Sequence, residues 1–394
     1  MIFNEALYPL FLVVAVAVFF WVPVSWRAGW LFVSGLVFYG YYADFFLLLF
    51  ALEALAVFWL MKHYRDRRQL FVLAVVLCTL ILGYYKYRNM AILSWHQLSC
   101  GFGCQELPQL EYLLLPLAIS FFTFEFIHYL ADAHQGKIER HSLIEFMAFI
   151  MFFPTMIAGP IKRFQGFVPQ IQRARFAWGH LQAGSTRILI GSAKKIMVAD
   201  SMDLWIQPLL SEQGVSQSTP GVLAVALLAY SLKIYLDFSG YSDIAIGSAR
   251  LFGIEVPENF NWPYLRANIA MFWRNWHISL TQWITDYVFI PLGGSRVGHW
   301  LTVRNLLIAM AVSGIWHGAA WHFVFWGLYH GILLGIQRTY REYIKPRLPW
   351  LARWPRTYQA SMTLLTFVLV TLGWGLFIMP LPRFGLLLQR LVGL

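Results

Sequence analysis

The stretch Ser313-Gly-Ile-Trp-His-Gly-Ala-Ala-Trp-His-Phe-Val-Phe-Trp-Gly327 decides how this chain is read. It is apolar enough to enter a bilayer, yet it carries His317 and His322 among tryptophans and glycines. Spanning a membrane requires no histidine, and desolvating a titratable imidazole is costly. Such a residue faces a protein interior or a water-filled cavity, and its default reading is a functional site.

The rest of the chain suits the same solvent. Hydrophobic residues make up 59% and charged residues 12%, whereas a soluble domain carries about a quarter charged residues. Mean hydropathy is +0.58. The fold class this implies is an all-α polytopic membrane protein, because helices satisfy their own backbone groups in lipid. Apolar runs fall near 6–24, 29–43, 44–61, 69–85, 112–131, 143–160, 184–208, 219–238, 302–318, 319–337 and 359–379. They predict ten or eleven crossings in one integrated domain. Pieces near 241–253 and 276–292 are too polar or interrupted, which predicts re-entrant or interfacial segments there. The first run lacks a small-residue cleavage site and is expected to stay as a helix.

A net charge of +11 can indicate nucleic acid, but in a membrane protein it reflects basic cytoplasmic loops. Nucleic acid is set aside as a partner. Lys62, Arg65, Arg67 and Arg68 form the sharpest basic loop, which places them inside and the N-terminus outside. Counting forward puts Lys137 and Arg140 inside and the 89–111 loop outside, with the 162–175 and 338–347 stretches again cytoplasmic. On that outer loop Cys100 and Cys104 either close a disulfide or remain two thiols. Cys78, in an apolar span, reads as packing. No internal repeat is visible, which argues against a transporter built from paired halves.

Five polar clusters interrupt the apolar runs. Glu125, His128 and Asp132 share one helix face, which either lines a cavity or pairs with a neighbouring helix. Ser120 and Thr123 can bond back to their own helix. Gly159-Pro160 breaks a helix just before Lys162 and Arg163, a combination that suits an anionic ligand or an ordinary basic loop. Asp237 and Asp243, with glycine and hydroxyls between them, suggest an ordered re-entrant turn more than a metal site. Arg274, His277 and Asp286 sit among tryptophans, in either an interfacial amphipathic helix or a tunnel wall. In the fifth cluster, His317 and His322 are five apart and so on different helix faces, unlike a zinc pair, and no metal is expected. The simplest chemistry is one imidazole acting as general base on a hydroxyl.

Taken in order, Pro116–Asp132, Phe152–Phe164, Asp237–Asn261, Phe272–Gly294 and Gly314–Gly331 resemble the membrane-bound O-acyltransferase (MBOAT) family. Within it the chain looks like the bacterial branch that acylates cell-envelope polymers, of alginate O-acetylation or teichoic-acid D-alanylation type. Asp237-Phe-Ser-Gly-Tyr-Ser-Asp243, Pro257-Glu-Asn-Phe260 and Tyr287-Val-Phe-Ile-Pro-Leu-Gly-Gly294 are more similar to the acetylating side. The resemblance implies a ring of helices around a central tunnel, with N-terminal helices over 1–111, a motif-bearing catalytic core over 112–340 and a C-terminal span over 341–394. It also implies His317 as catalytic base and His277 in the same reaction centre. Arg274, Asn275, Trp316, Asp237, Tyr241, Asp243, Glu125, Lys162 and Arg163 become candidates for the substrate and donor tunnel. His322 stands where the family usually has another residue, with packing or proton relay as its readings.

What the resemblance implies about function is an O-acyltransferase. An acyl group, acetyl before others, would leave a cytoplasmic thioester and reach a hydroxyl of an exported polysaccharide, directly or through a periplasmic partner. The donor would be acetyl-CoA or an acyl carrier protein, with no tightly bound cofactor. Expected partners are that carrier, periplasmic acetyltransferase and polysaccharide-export proteins, and membrane lipid. The expected location is the bacterial inner membrane. D-alanyl transfer, peptidoglycan O-acetylation, a proton-coupled transporter and a non-catalytic export scaffold are the competing readings.

Overall fold

A computed structural model of the chain describes residues 5, 7–43, 46–100, 110, 114–349, 353 and 355–393. Among these residues the regular structure is helical, apart from one isolated antiparallel bridge between Phe260 and Trp276. The chain divides into two compact units, Met1–Ser192 with Tyr241–Pro257, and Ala193–Gly240 with Glu258–Leu394.

The first unit contains α1 (Leu7–Trp21), α2 (Arg27–Ala43), α3 (Phe46–Tyr64), α4 (Arg68–Leu82), α5 (Arg88–Ser99), α6 (Ile119–His134), α7 (Leu143–Ile150), α8 (Phe153–Met156), α9 (Phe164–Arg173) and α10 (Trp178–Ser192). Its core is aromatic. Phe38, Phe126, Phe146, Phe149, Phe152 and Phe153 are fully buried, while Leu10, Leu48, Leu52, Leu77 and Leu80 stay exposed on α1, α3 and α4. That inversion of the soluble rule is expected in lipid, where apolar burial alone does not drive helices together. Close packing and polar contacts must do it instead. Tyr8 donates to Ser248 Oγ at 2.8 Å, and Arg27 donates to the Ala174 carbonyl at 2.7 Å while lying over Phe19.

The second unit contains α11 (Asp203–Leu210), α12 (Glu212–Gln217), α13 (Pro220–Leu251), α14 (Ile269–Trp273), α15 (Ile278–Ile284), α16 (His299–His317), α17 (Trp321–Thr339), α18 (Pro355–Ile378) and α19 (Leu381–Leu391). Residues 220–240 of α13 belong here and residues 241–251 to the first unit. The glycines of the opening stretch earn their place in the α16–α17 hairpin. A Cβ on Gly314 would lie 2.2 Å from the Phe323 carbonyl oxygen, and one on Gly327 would lie 2.2 Å from that of Met310. Only glycine lets the two backbones come this close.

Among the described residues, four helical stretches are long and apolar enough to cross a membrane: Phe46–Tyr64, Arg68–Ser99, Pro220–Leu251 and Pro355–Ile378. Leu7–Trp21 is a shorter apolar helix. The chain is an all-α, multi-pass membrane protein, in line with its sequence.

Two local expectations are corrected. The 241–253 piece is not re-entrant, since α13 runs unbroken through Ser239, Gly240 and Ser242. The 143–160 run is not one span but two short helices, α7 and α8, with non-helical chain from Ala158 to Lys162. Pro160 cannot continue a helix, and α7 starts on a Ser142–Glu145 capping box, so both ends are fixed locally. The 276–292 piece is short helix α15 running into a wider turn at Thr285–Phe289. Helix α19, amphipathic through Phe384, Leu387 and Leu391, was absent from the expected spans. The pairing of Cys100 with Cys104 lies outside the described residues, because Cys104 is not among them.

Candidate active site

In the second unit, α16 carries its histidine to its last residue. His317 ends the helix, and Gly318 turns the chain with an extended backbone. The imidazole lies edge-on between Trp326 and Phe377, with ring centroids 5.0 Å away in each case. Trp316 lies 4.8 Å from His317 and 5.8 Å from His277. Trp316 thus links the two imidazoles through its ring. The sequence separates these two histidines by α15, a wider turn, a loop and α16, and the fold brings them to one aromatic-walled cluster.

His277 is 1% exposed and opens α15 with a left-handed backbone, φ 43°. Phe238, one residue beyond Asp237 on α13, meets its ring at 4.6 Å and 90°. Among the described residues, neither ring nitrogen of His277 has a hydrogen-bond partner. The loop holding it is braced by the Phe260–Trp276 bridge and by the Asn261 N–H donating to the Asn275 carbonyl at 3.1 Å. The Asn275 side chain donates back to the Met271 carbonyl at 2.7 Å, which ties it to α14.

A cavity of about 350 Å³ opens beside this cluster, lined in part by Trp273, Arg274, Ser313, Arg338 and Arg341. Ser313 lies one turn before His317 on α16. Trp326 touches both Trp273 at 5.6 Å and His317 at 5.0 Å, so it stands between the cavity wall and the imidazole. Arg274 is exposed, and among the described residues no acidic side chain forms an ion pair with it. Arg338 and Arg341 share Glu342, at 2.9 and 3.8 Å. His299 lies 2.7 Å from the same carboxylate and, with the arginines, holds it below its ordinary range.

The remaining sequence candidates lie elsewhere. Asp237, on the α13 portion of this unit, pairs with Lys195 at 2.8 Å, and Lys195 also meets Asp200 at 2.7 Å. Glu125, Lys162, Arg163, Tyr241 and Asp243 belong to the first unit. There Lys162 is 1% exposed and bonds Glu125 at 2.6 Å beneath Phe149, 4.5 Å from its ring. Its charge is balanced inside the protein, which goes against its reading as a contact for an anionic ligand. The Glu125, His128 and Asp132 face is buried, as its spacing predicts. Arg163 lies 3.8 Å from Asp132, Arg187 pairs with Asp243 at 2.9 Å, and Tyr241 packs on the first unit's core. The hydroxyl-rich 237–243 segment therefore orders no turn. Its aspartates make ion pairs from a continuous helix. His322 rests on the Phe323 ring, 4.2 Å away.

Sequence reasoning missed Trp326, Trp374 and Phe377, which wall the cluster, because an aromatic residue in an apolar span carries no positional signal. It also missed Asn259 and Ser279, although both lie in quoted motifs.

Helices of membrane length, with two imidazoles gathered among tryptophans at a helix end, give a membrane protein with a candidate reaction centre, and comparison with known proteins supplies its class. The profile described as "MBOAT, membrane-bound O-acyltransferase family" matches residues 84–379. The chain is 36% identical over 376 residues to "Probable alginate O-acetylase AlgI" of Pseudomonas aeruginosa, covering 93% of this chain and 70% of that one. It is 32% identical to "Peptidoglycan O-acetyltransferase" of Helicobacter pylori, covering 79% of this chain and 62% of that one. To "Teichoic acid D-alanyltransferase" of Bacillus subtilis it is 31% identical, covering 66% and 68%. The chain belongs to the membrane-bound O-acyltransferase family.

Proposed function

We propose that this enzyme moves an acetyl group from a cytoplasmic thioester onto a hydroxyl of an exported envelope polysaccharide, with His317 as general base. The observation that carries this reading is the His317–Trp316–His277 cluster beside a cavity bearing three arginines. His317 accepts the acceptor hydroxyl's proton as the oxygen attacks the thioester carbonyl. The C–S bond then breaks, and the imidazolium returns its proton to the departing thiolate. No protein nucleophile is needed, because proximity in a water-poor site supplies much of the rate and suppresses hydrolysis. His277, within reach of the same centre, completes it by hydrogen bonding to the acceptor or to the developing oxyanion.

Arg274 suits the phosphates of acetyl-CoA or of a carrier-bound phosphopantetheine, while Arg338 and Arg341, on the same wall, already share Glu342. Lys162 and Glu125 fall out of that role, being satisfied by one another. Acetyl is favoured because the relative matched over 93% of the chain is described as an acetylase, whereas the D-alanyltransferase match covers 66%. The setting proposed is a bacterial inner membrane with the N-terminus outside, a carrier or donor within and export proteins beyond. One catalytic domain spans the chain in this reading.

The test is complementation of a strain lacking its own polysaccharide acylation, with mass spectrometry of ester-linked groups on extracted polymers. Acetyl esters that appear only with the chain support the proposal. D-alanyl esters would change the donor, and no ester of either kind would remove it.

A further inference from the structure

We infer that Asn259 is a positioning residue for the reaction: it caps α15 from outside the helix and so leaves the His277 imidazole free for chemistry. The inference rests on placing His277 in the reaction centre, as proposed above.

A helix begins with backbone N–H groups that have no partner within it. Ordinarily the residue at the N-cap supplies a side-chain oxygen to one of them. At α15 that position is His277, whose side chain makes no capping bond. Asn259, eighteen positions earlier in sequence, does the work instead. Its carbonyl accepts the Ile278 N–H at 3.0 Å, and its Oδ1 accepts the Ser279 N–H at 3.3 Å and the Ser279 hydroxyl at 2.7 Å. Asn259 is 0% exposed, so these bonds are shielded from water.

Two consequences follow from this borrowed cap. A left-handed backbone at a non-glycine residue is strained and persists only where its surroundings impose it. Here the Asn259 bonds immediately after His277, and the Phe260–Trp276 bridge before it, impose φ 43° and so aim its Cα–Cβ bond. The second consequence is chemical. Both ring nitrogens of His277 stay without a partner among the described residues, while Phe238 at 4.6 Å holds the ring by its edge. A self-capping residue could not do this, because its polar atom would be turned back onto the helix.

The experiment is a double-mutant cycle read as the initial rate of acetyl-ester formation in the complemented strain, normalised to protein in the membrane. Asn259→Ala is expected to lower the rate about 10- to 100-fold, the scale of a misplacement near 1 Å. In a His277→Ala background it should lower the rate no further, because Asn259 acts through His277. Asn259→Asp keeps the acceptor oxygen and should recover most of the rate. Ser279→Ala, which removes one bond and leaves the fold least disturbed, should cost a few-fold and guards against an Asn259→Ala protein that does not fold. Hydrogen exchange should quicken in peptides covering 276–284.

An equal fractional loss in both backgrounds would make Asn259 a structural residue and overturn the inference, as would a rate for Asn259→Ala within twofold of wild type. A wild-type rate for His277→Ala is a different failure. It would remove His277 from the reaction centre, and the inference would fall with it.

Discussion

The buried polar group at Lys162 in the first unit and the one at His277 in the second are opposites. In the first unit, Lys162 and Glu125 meet at 2.6 Å with an aromatic ring above the ammonium. In the second, His277 is equally buried, yet its ring nitrogens have no partner among the described residues. From sequence, both look like functional polar groups in an apolar run. Partner satisfaction separates them. A charge balanced on the spot contributes to a particular packing, while an imidazole left open at real desolvation cost is, in the proposed reading, kept for a substrate. His330, 0% exposed and also without a partner among the described residues, is the open imidazole that reading does not use.

That contrast breaks first, and hardest, at His317. Removing a general base costs about 10²- to 10⁴-fold in rate, so His317→Ala should lose ester formation while its thermal unfolding stays near wild type. The first unit should respond the other way. Lys162→Met leaves the Glu125 carboxyl buried without its cation, and breaking such a pair costs about 3–5 kcal/mol. Thermal unfolding in detergent should show that loss, and the double change Lys162→Met with Glu125→Leu should recover most of it. Recovery of activity along with stability would confirm that the pair has no chemical role.

A smaller effect sharpens the packing behind the site. Gly327→Ala places a Cβ 2.2 Å from the Met310 carbonyl oxygen, and overpacking of this kind costs about 1–3 kcal/mol. Both unfolding temperature and rate should fall together, unlike at His317. The smallest effect expected is at Arg274, an exposed cation on the cavity wall. Arg274→Ala should raise the apparent donor KM about 3- to 10-fold, with kcat nearly unchanged, because an exposed charge contact is worth about 1 kcal/mol. An unchanged KM would remove the arginine from the donor's path.

How far the sequence could be read depended on how local each signal was. His317 stood out because an imidazole is expensive in an apolar run whatever surrounds it. The class of fold was legible from composition for the same reason, since lipid as solvent acts on every residue. Helix α13 was misread because Ser239-Gly240-Tyr241-Ser242 carries the residues of a turn. In the fold, Ser239 and Ser242 are buried within a continuous helix, and tertiary context outweighs their local preference. The short helices α7 and α8 were merged because hydrophobicity alone does not register a break between two apolar pieces. Asn259 could not be recognised at all before its contacts with Ile278 and Ser279 were seen, since a cap borrowed across a loop leaves no spacing rule.

The measurement that bears most directly on the account compares wild type and His317→Ala at matched membrane levels in the complemented strain, counting ester-linked acetyl groups on extracted polysaccharide by mass spectrometry. The account predicts acetyl esters with wild type and none above background with His317→Ala. Equal ester content in the two strains would contradict it, and would leave the paired-histidine cluster a feature of packing.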